Sequence, residues 1–157
     1  MAEIEREHID NDHVISVLEK LTETNRDAQE GYRDAAEHIK DLQLRAFFNE
    51  QSTERANFAG ELENEVIRLG KHDPDRSGSA SGALHRRWID LKVAMGAGDH
   101  AILSSVESGE DNARKEYEQA LNDKLPEDIK GILRQHAQAV TSAHDQVKML
   151  RDRTKAA

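Results

Sequence analysis

The chain has 157 residues, of which 34% are charged and 4% aromatic, with two prolines and no cysteine. This composition favours one helical domain over a β-rich fold, and it excludes disulfides, thiolate metal sites and cysteine nucleophiles. The net charge of -9 disfavours nucleic acid, because binding phosphate requires clustered basic residues. The acidic N-terminus and the absence of an apolar run of about 20 residues lead us to expect a soluble cytoplasmic protein without a membrane span.

The first two predicted helices come from apolar residues that recur at helical spacing. The first should begin near Asn11 or Asp12, either of which can cap it, and end near Lys40. Asp41 is predicted to cap the second, which Gly70 ends. The very short turn between the two requires that they lie side by side and antiparallel.

Residues 70–98 are predicted to cross over the bundle and to carry a short helix over 83–95. Asp99 is a candidate cap for a third helix that ends near Asn122. The apolar spacing continues across the intervening glycines, so a single kinked helix over 83–122 is the alternative.

Pro126 suits the first turn of a fourth helix, whose apolar stripe ends at Leu150. We therefore predict a flexible N-terminal arm over 1–12 and a single domain over 13–153. The domain would be a bundle of four long helices with its crossover between the second and the third.

Few polar residues fall inside the predicted apolar stripes, and those that do are predicted to form a buried polar cluster. The cluster consists of Gln51, Arg55, Glu110 and His136. Arg55 and Glu110 each lie about 21 Å from a bundle end, so they should meet at mid-height, with His136 within about 5 Å of that level. A buried arginine needs a carboxylate partner, and such a pair can fix helix register without any catalysis.

A dinuclear metal site is the alternative use of this centre, because four-helix bundles hold such sites with inward-facing glutamates and histidines. The candidate ligands are Glu30, Glu54, Glu110 and His144. The usual Glu-x-x-His spacing is absent, since 54–57 reads Glu-Arg-Ala-Asn and 141–144 reads Thr-Ser-Ala-His. A central arginine would also repel a divalent cation. The sequence therefore favours no catalytic residue and no cofactor, with iron as the alternative.

Three further features lie outside this cluster. Gly31 and Gly109 fall within helices, where each costs about 1 kcal/mol relative to alanine, and close helix approach would account for them. Trp88 is predicted either to plug the gap between crossover and bundle or to form a partner-binding patch with its basic neighbours. The acidic run over 61–65 is predicted to be a solvated helix face.

Several segments of the chain resemble a known family. They are 17–21 (Val-Leu-Glu-Lys-Leu), 30–37 (Glu-Gly-Tyr-Arg-Asp-Ala-Ala-Glu), 55–62 (Arg-Ala-Asn-Phe-Ala-Gly-Glu-Leu), 82–92 (Gly-Ala-Leu-His-Arg-Arg-Trp-Ile-Asp-Leu-Lys) and 109–111 (Gly-Glu-Asp) with Tyr117 and 120–121 (Ala-Leu). Through them, roughly residues 12–153 resemble the bacterial ferritin-like four-helix-bundle family of unknown function. The resemblance implies a ferritin-like bundle with a long crossover after the second helix, and it implies no reaction.

The fold that we predict is therefore an all-α, ferritin-like four-helix bundle with a short extra helix in its crossover. The class leads us to expect a homodimer. The charge and the lack of a long apolar run lead us to expect no nucleic-acid or membrane partner, and the sequence does not identify a protein partner. We expect a non-enzymatic structural or interaction protein, for which the resemblance suggests a stress-related setting. The alternative is an iron-binding protein or oxidoreductase with a reduced dinuclear site.

Overall fold

The computed structural model describes residues 9–71, Trp88, Ala94 and 96–156, with side chains up to Thr154. These residues form four long helices and no strand, which confirms the predicted all-α four-helix bundle. The helices are α1 (Asn11–His38), α2 (Leu42–Arg68), α3 (Asp99–Leu121) and α4 (Glu127–Ala156).

The ends of the first two helices follow from local hydrogen bonding. The carboxylate of Asp10 accepts the backbone N–H of Asp12, so α1 is capped one residue before the predicted positions. The carboxylate of Asp41 accepts the N–H groups of Gln43 and Leu44 at 2.8 and 3.1 Å, as a cap should. Gly70 follows α2 with a φ of 111°, a conformation that favours glycine at a helix end.

The predicted role of Asp99 as a cap is wrong. Gly98, with a φ of 99°, precedes α3, and Asp99 is the first helical residue. Its carboxylate accepts the backbone N–H groups of Lys40 and Asp41 at 3.0 and 3.2 Å. Asp99 therefore attaches the start of α3 to the α1–α2 turn.

The crossover is only partly described. Trp88 and Ala94 are helical, and the other residues of the predicted helix over 83–95 lie outside the described residues. Residues 96–98 are not helical, so the alternative of one helix over 83–122 is wrong. Residues 1–8 of the predicted N-terminal arm also lie outside the described residues. The last two residues of the predicted arm, 11 and 12, belong to α1.

Contacts between helix ends define the topology. The Asp99 contacts join the start of α3 to the end of α1, and His13 joins the start of α1 to Asp123 at 2.7 Å. α1 is therefore antiparallel to α3 as well as to α2, so α2 and α3 run parallel. Two parallel helices require a connection that returns along the length of the bundle, which the segment between Arg68 and Asp99 supplies.

The buried apolar side chains form two separate clusters. The first consists of Ala28, Tyr32, Ala35, Ala36, Ile39, Leu44, Phe48, Trp88, Ile102, Leu103, Val106 and Val147. The second consists of Val14, Ile15, Leu18, Leu21, Leu62, Val66, Ala113, Tyr117, Ala120, Leu125, Ile129, Leu133 and Val140. On α2 and α3, the gap between the clusters contains Arg55 and Glu110.

Within the described part of the chain, no helix combines the length and apolar character that crossing a membrane would require.

Candidate functional site

A fully buried ion pair joins α2 to α3 at mid-height of the bundle. Nη1 and Nη2 of Arg55 each donate to one carboxylate oxygen of Glu110, both at 2.5 Å, and both side chains are 0% exposed. This two-pronged geometry matches the planar guanidinium to the planar carboxylate. The structure thus brings together two members of the predicted cluster, and both oxygens of Glu110 are engaged.

Tyr32 packs beside this pair. Its ring centroid lies 5.6 Å from Cζ of Arg55, within the range of a cation–π contact. Burial, followed by the negative charge of Glu110, raises the pKa of the Tyr32 hydroxyl well above its ordinary value. Burial opposes the charge on Arg55, but the charge of Glu110 and its hydrogen bonds outweigh burial and raise the pKa of the guanidinium. Arg55 therefore stays charged and Tyr32 stays neutral at physiological pH.

Gln51, the third member of the predicted cluster, lies one turn before Arg55 and is partly buried. Its Oε1 is buried and accepts no hydrogen bond from the described residues, and Nε of Arg55 likewise donates none. Buried polar atoms of this kind are commonly satisfied by ordered water. The ion pair thus lies in a locally polar layer between two apolar clusters.

His136, the fourth member, belongs to a separate hydrogen-bonded chain. Nδ2 of Asn25 donates to the Tyr117 hydroxyl at 2.7 Å, and Tyr117 is 3.0 Å from Nδ1 of His136. Nε2 of His136 is 2.9 Å from Oε2 of Glu61, whose side chain is 53% exposed. This chain of hydrogen bonds therefore connects the interior of the bundle to its surface.

The protonation state of His136 follows from this arrangement. Burial lowers the pKa of His136 below its ordinary value of 6.5, although the hydrogen bond to Glu61 opposes that change. A neutral ring with its proton on Nε2 donates to Glu61 and accepts the Tyr117 hydroxyl on Nδ1. The ring also stacks on Phe58 with centroids 3.9 Å apart, which holds it in this orientation.

The predicted height of His136 is wrong by about two helical turns. Its partner Tyr117 lies seven residues beyond Glu110 on α3, or about 10 Å along the helix axis. His144 instead lies near the level of the ion pair, with Nε2 3.5 Å from Glu107 and 3.7 Å from Asp111. His136 was predicted to lie within about 5 Å of the level of Arg55 and Glu110, whereas the packing of α4 on α3 brings His144 to that level instead.

The four candidate metal ligands do not come together. Glu30 is exposed on α1, and Glu54 lines an outer groove of α2 with Asn49 and Asn57. Glu110 is bound to Arg55, and His144 lies against α3. Among the described residues, no three histidine, aspartate or glutamate side chains are grouped so that they could hold a metal ion. The donor set therefore does not fit a dinuclear site.

The sequence reasoning missed two interactions of the acidic run over 61–65. Glu61 was predicted to be solvated, yet it accepts the hydrogen bond from His136. Glu63 was also predicted to be solvated, yet its side chain is only 12% exposed and pairs with Arg26 of α1. For Glu61, the sequence did contain a signal. Phe58 lies three residues before Glu61 on the same side of α2, and its ring stacks on His136.

We expect Glu110→Gln to lower the free energy of unfolding by about 3–5 kcal/mol, because it leaves the charge of Arg55 buried and unpaired. The double variant Arg55→Met/Glu110→Leu removes both charges and should lie near or above the wild-type stability. Urea unfolding measures all three proteins. The exposed control Glu30→Gln should change stability by no more than about 0.5 kcal/mol. A Glu110→Gln protein as stable as this control would contradict the buried pair.

We expect the free energy of unfolding to fall as the pH falls through the ordinary histidine pKa of 6.5. The pKa of His136 is lower in the native state, so the unfolded chain binds more protons in this window and protonation favours unfolding. Urea unfolding between about pH 5 and 8 measures the slope. His136→Gln should reduce the slope, and the exposed control His38→Gln should retain it. An equal slope in His136→Gln would contradict the assignment.

Residues 13–123 of the chain match the family described as "Domain of unknown function (DUF2383)". The match begins in α1, continues through α2 and the crossover, and ends two residues after α3. It contains both members of the Arg55–Glu110 pair, whereas His136 and His144 lie beyond it. No curated protein matches the chain. Since the matched residues make up more than two thirds of its length, the chain belongs to the DUF2383 family of unknown function.

Proposed function

We propose that this protein is a non-enzymatic, ferritin-like helical bundle that acts through its surfaces as a structural or interaction protein. The observation that carries the proposal is the composition of the buried centre. A bundle that held two metal ions would direct several free carboxylates inward, whereas here the guanidinium of Arg55 engages both oxygens of Glu110. A cytoplasmic location and a stress-related setting remain part of this proposal.

The ferritin-like relationship is supported by the order and direction of the helices. α2 and α3 run parallel and are joined by a long connection, while α1 and α4 run in the opposite direction. Ferritin-like bundles have one long crossover of this kind. The relationship is part of the proposal, and the family match alone does not carry it.

A role for the ion pair in helix register fits this topology. Short turns keep α1 beside α2 and α3 beside α4, but the long connection places no such limit on how α2 lies on α3. The bond from Arg55 to Glu110 spans this pair of helices inside the bundle. Displacing either helix along its axis would separate two buried charges, which is costly. The pair thus has a structural explanation that requires no reaction.

The alternative function, an iron-binding protein or oxidoreductase, would have to use a different set of ligands. Among the described residues, the nearest approach to such a set is His144 with Glu107 and Asp111, on facing sides of α3 and α4, although these three are not grouped as metal ligands would be. Arg151 already pairs with Glu107, and Arg114 with Asp111. These cations compete with a metal ion for the same carboxylates.

We expect the purified protein to retain no stoichiometric iron after aerobic addition of ferrous iron and desalting. Elemental analysis measures the bound metal, and near-ultraviolet absorbance reports an oxo-bridged iron pair. Stoichiometric iron with such an absorbance would overturn the proposal in favour of the alternative. Loss of that iron in His144→Ala, but not in Glu30→Gln, would then locate the site between α3 and α4.

We further propose a homodimer formed through an outer helix face. Met149 is 48% exposed on α4, in a shallow groove that also contains Lys148 and Asp152. A patch with an apolar centre and charges of both signs can complement its own copy across a two-fold axis. Sedimentation velocity should show a dimer, and Met149→Glu should shift it towards monomer. A monomeric wild-type protein would refute the dimer.

A further inference from the structure

The hydrogen bonds from Asn25 through Tyr117 and His136 to Glu61 have one direction. At the outer end, the carboxylate of Glu61 can only accept a hydrogen bond, and at the inner end, Nδ2 of Asn25 can only donate one. The same Nδ2 also donates to the carbonyl oxygen of Leu21 at 2.8 Å, which holds the side-chain amide in this orientation. Each bond in the series is therefore donated outward, and neutral His136 carries its proton on Nε2.

The inner end of this series also contains an unused acceptor. Asn25 is 1% exposed, and its Oδ1 is buried and accepts no hydrogen bond from the described residues. Most buried amide oxygens have a partner. Oδ1 belongs to the same amide group that contacts the hydroxyl of Tyr117 at 2.7 Å, so half a turn of that group would present the oxygen to the hydroxyl.

A second proton on His136 conflicts with this direction. Nδ1 would then donate to the oxygen of Tyr117, which already accepts from Nδ2 of Asn25. The hydroxyl proton of Tyr117 would lose its acceptor unless the Asn25 amide turned its Oδ1 towards it. That turn would remove Nδ2 from Leu21, so either arrangement leaves one buried donor without its present partner, which is unfavourable.

The charged groups that act on His136 come from α2. Glu61 and Glu54 favour the protonated ring, whereas Arg55 opposes it. From α3 comes the hydroxyl of Tyr117, whose pKa is raised by burial, so that it stays neutral. The neutral amide of α1 acts on the ring through that hydroxyl. Burial lowers the pKa of His136 below 6.5, so the ring gains its second proton only in acid.

We propose that this series of hydrogen bonds is a proton-sensitive switch, in which protonation of His136 turns or releases the side chain of Asn25 and so weakens the inner contact between α1 and α3. The same proton converts the bond between His136 and Glu61 into an ion pair, which strengthens the outer contact between α4 and α2. Acid therefore transfers interaction strength from the interior of the bundle to its surface. The inference does not depend on the proposed function, because it requires only the hydrogen bonds described.

On one side of the bond between Asn25 and Tyr117, Trp88 fills the interface between α1 and α3. Its side chain is 6% exposed, so the predicted partner-binding patch centred on this residue is wrong. A Cβ atom added to Gly31 or Gly109 would overlap the indole. The ring, rather than the approach of the neighbouring helix, therefore accounts for both glycines.

On the other side of that bond, Lys20 of α1 pairs with Glu116 of α3 at 2.9 Å. This ion pair lies about one and a half helical turns from Asn25 along α1. Neither this pair nor the contact of Trp88 includes a member of the switch. Protonation of His136 should therefore alter one level of the interface and leave α1 and α3 together.

The experiment follows His136 and Asn25 by NMR in the ¹⁵N-labelled wild-type protein between about pH 8 and 5. At the upper end, the ring nitrogens should show a proton on Nε2 and none on Nδ1. As the pH falls, the side-chain amide signals of Asn25 should shift with the same midpoint as the ring. Those of Asn112, which donates to Ser108 of its own helix, should not share this midpoint.

Two results in the wild-type protein would overturn the proposal. One is a neutral His136 that carries its proton on Nδ1, since the series would then have the opposite direction. The other is a side-chain amide of Asn25 that keeps its signals while His136 titrates, since protonation would then not reach α1.

Asn25→Asp tests the direction of the bonds from the other end. Its carboxylate accepts the hydroxyl of Tyr117, so the oxygen of Tyr117 becomes free to accept from Nδ1 of His136. Both ring nitrogens then have acceptors, and the titration midpoint of His136 should rise by about one pH unit or more. Asn112→Asp adds the same charge to α3 outside the series and should raise the midpoint much less.

The double variant Asn25→Asp/Tyr117→Phe separates the hydrogen bonds from the charge. It keeps the new carboxylate but removes the hydroxyl that connects it to His136, so most of the rise should be lost. An equal rise with and without the hydroxyl would reduce the effect to charge alone and overturn the switch, as would an unchanged midpoint in Asn25→Asp. If Asn25→Asp does not fold, the proton position and the shared midpoint in the wild-type protein decide.

Discussion

The bond between Arg55 and Glu110 is the buried interaction that most restricts how α2 and α3 can lie against each other. It is fully buried, and it joins the two helices whose connection along the chain is longest. A desolvated pair of this kind adds little net stability compared with well-packed apolar residues, but it strongly penalises every arrangement that separates the charges. We therefore infer that its contribution is specificity. Of the ways in which two helical hairpins could pack, it favours one that keeps these two side chains opposite each other.

The surrounding polar residues extend this constraint to the other helices. Tyr32 of α1 packs on the guanidinium of Arg55. The hydrogen-bonded chain Asn25–Tyr117–His136–Glu61 links all four helices, closer to the end of the bundle where α1 begins and α3 ends. Hydrogen bonds have narrower geometric requirements than apolar contacts, which tolerate sliding. Two apolar clusters with polar contacts between and beside them are therefore a means of obtaining one packing from helices whose apolar stripes are otherwise similar.

Much of the fold could be predicted from the sequence, because helical periodicity, Asp41 and Gly70 are local signals. The meeting of Arg55 with Glu110 was also predictable, since a buried arginine requires a carboxylate and Glu110 was predicted to face inward at its height. The height of His136 was not, because the shift between α3 and α4 depends on how their side chains interlock. The reason for glycine at positions 31 and 109 could not be predicted either, since the ring that fills the space beside them belongs to Trp88, which is distant from both along the chain.

The position of Asp99 has a consequence for the crossover. Its carboxylate holds the backbone of Lys40 and Asp41, so the start of α3 is anchored to the α1–α2 turn by its own hydrogen bonds. That anchor does not depend on how many residues precede it. Insertions and deletions between α2 and Trp88 can therefore accumulate without displacing α3, provided that enough chain remains to span the bundle. Variation in loop length among related proteins should concentrate in this stretch.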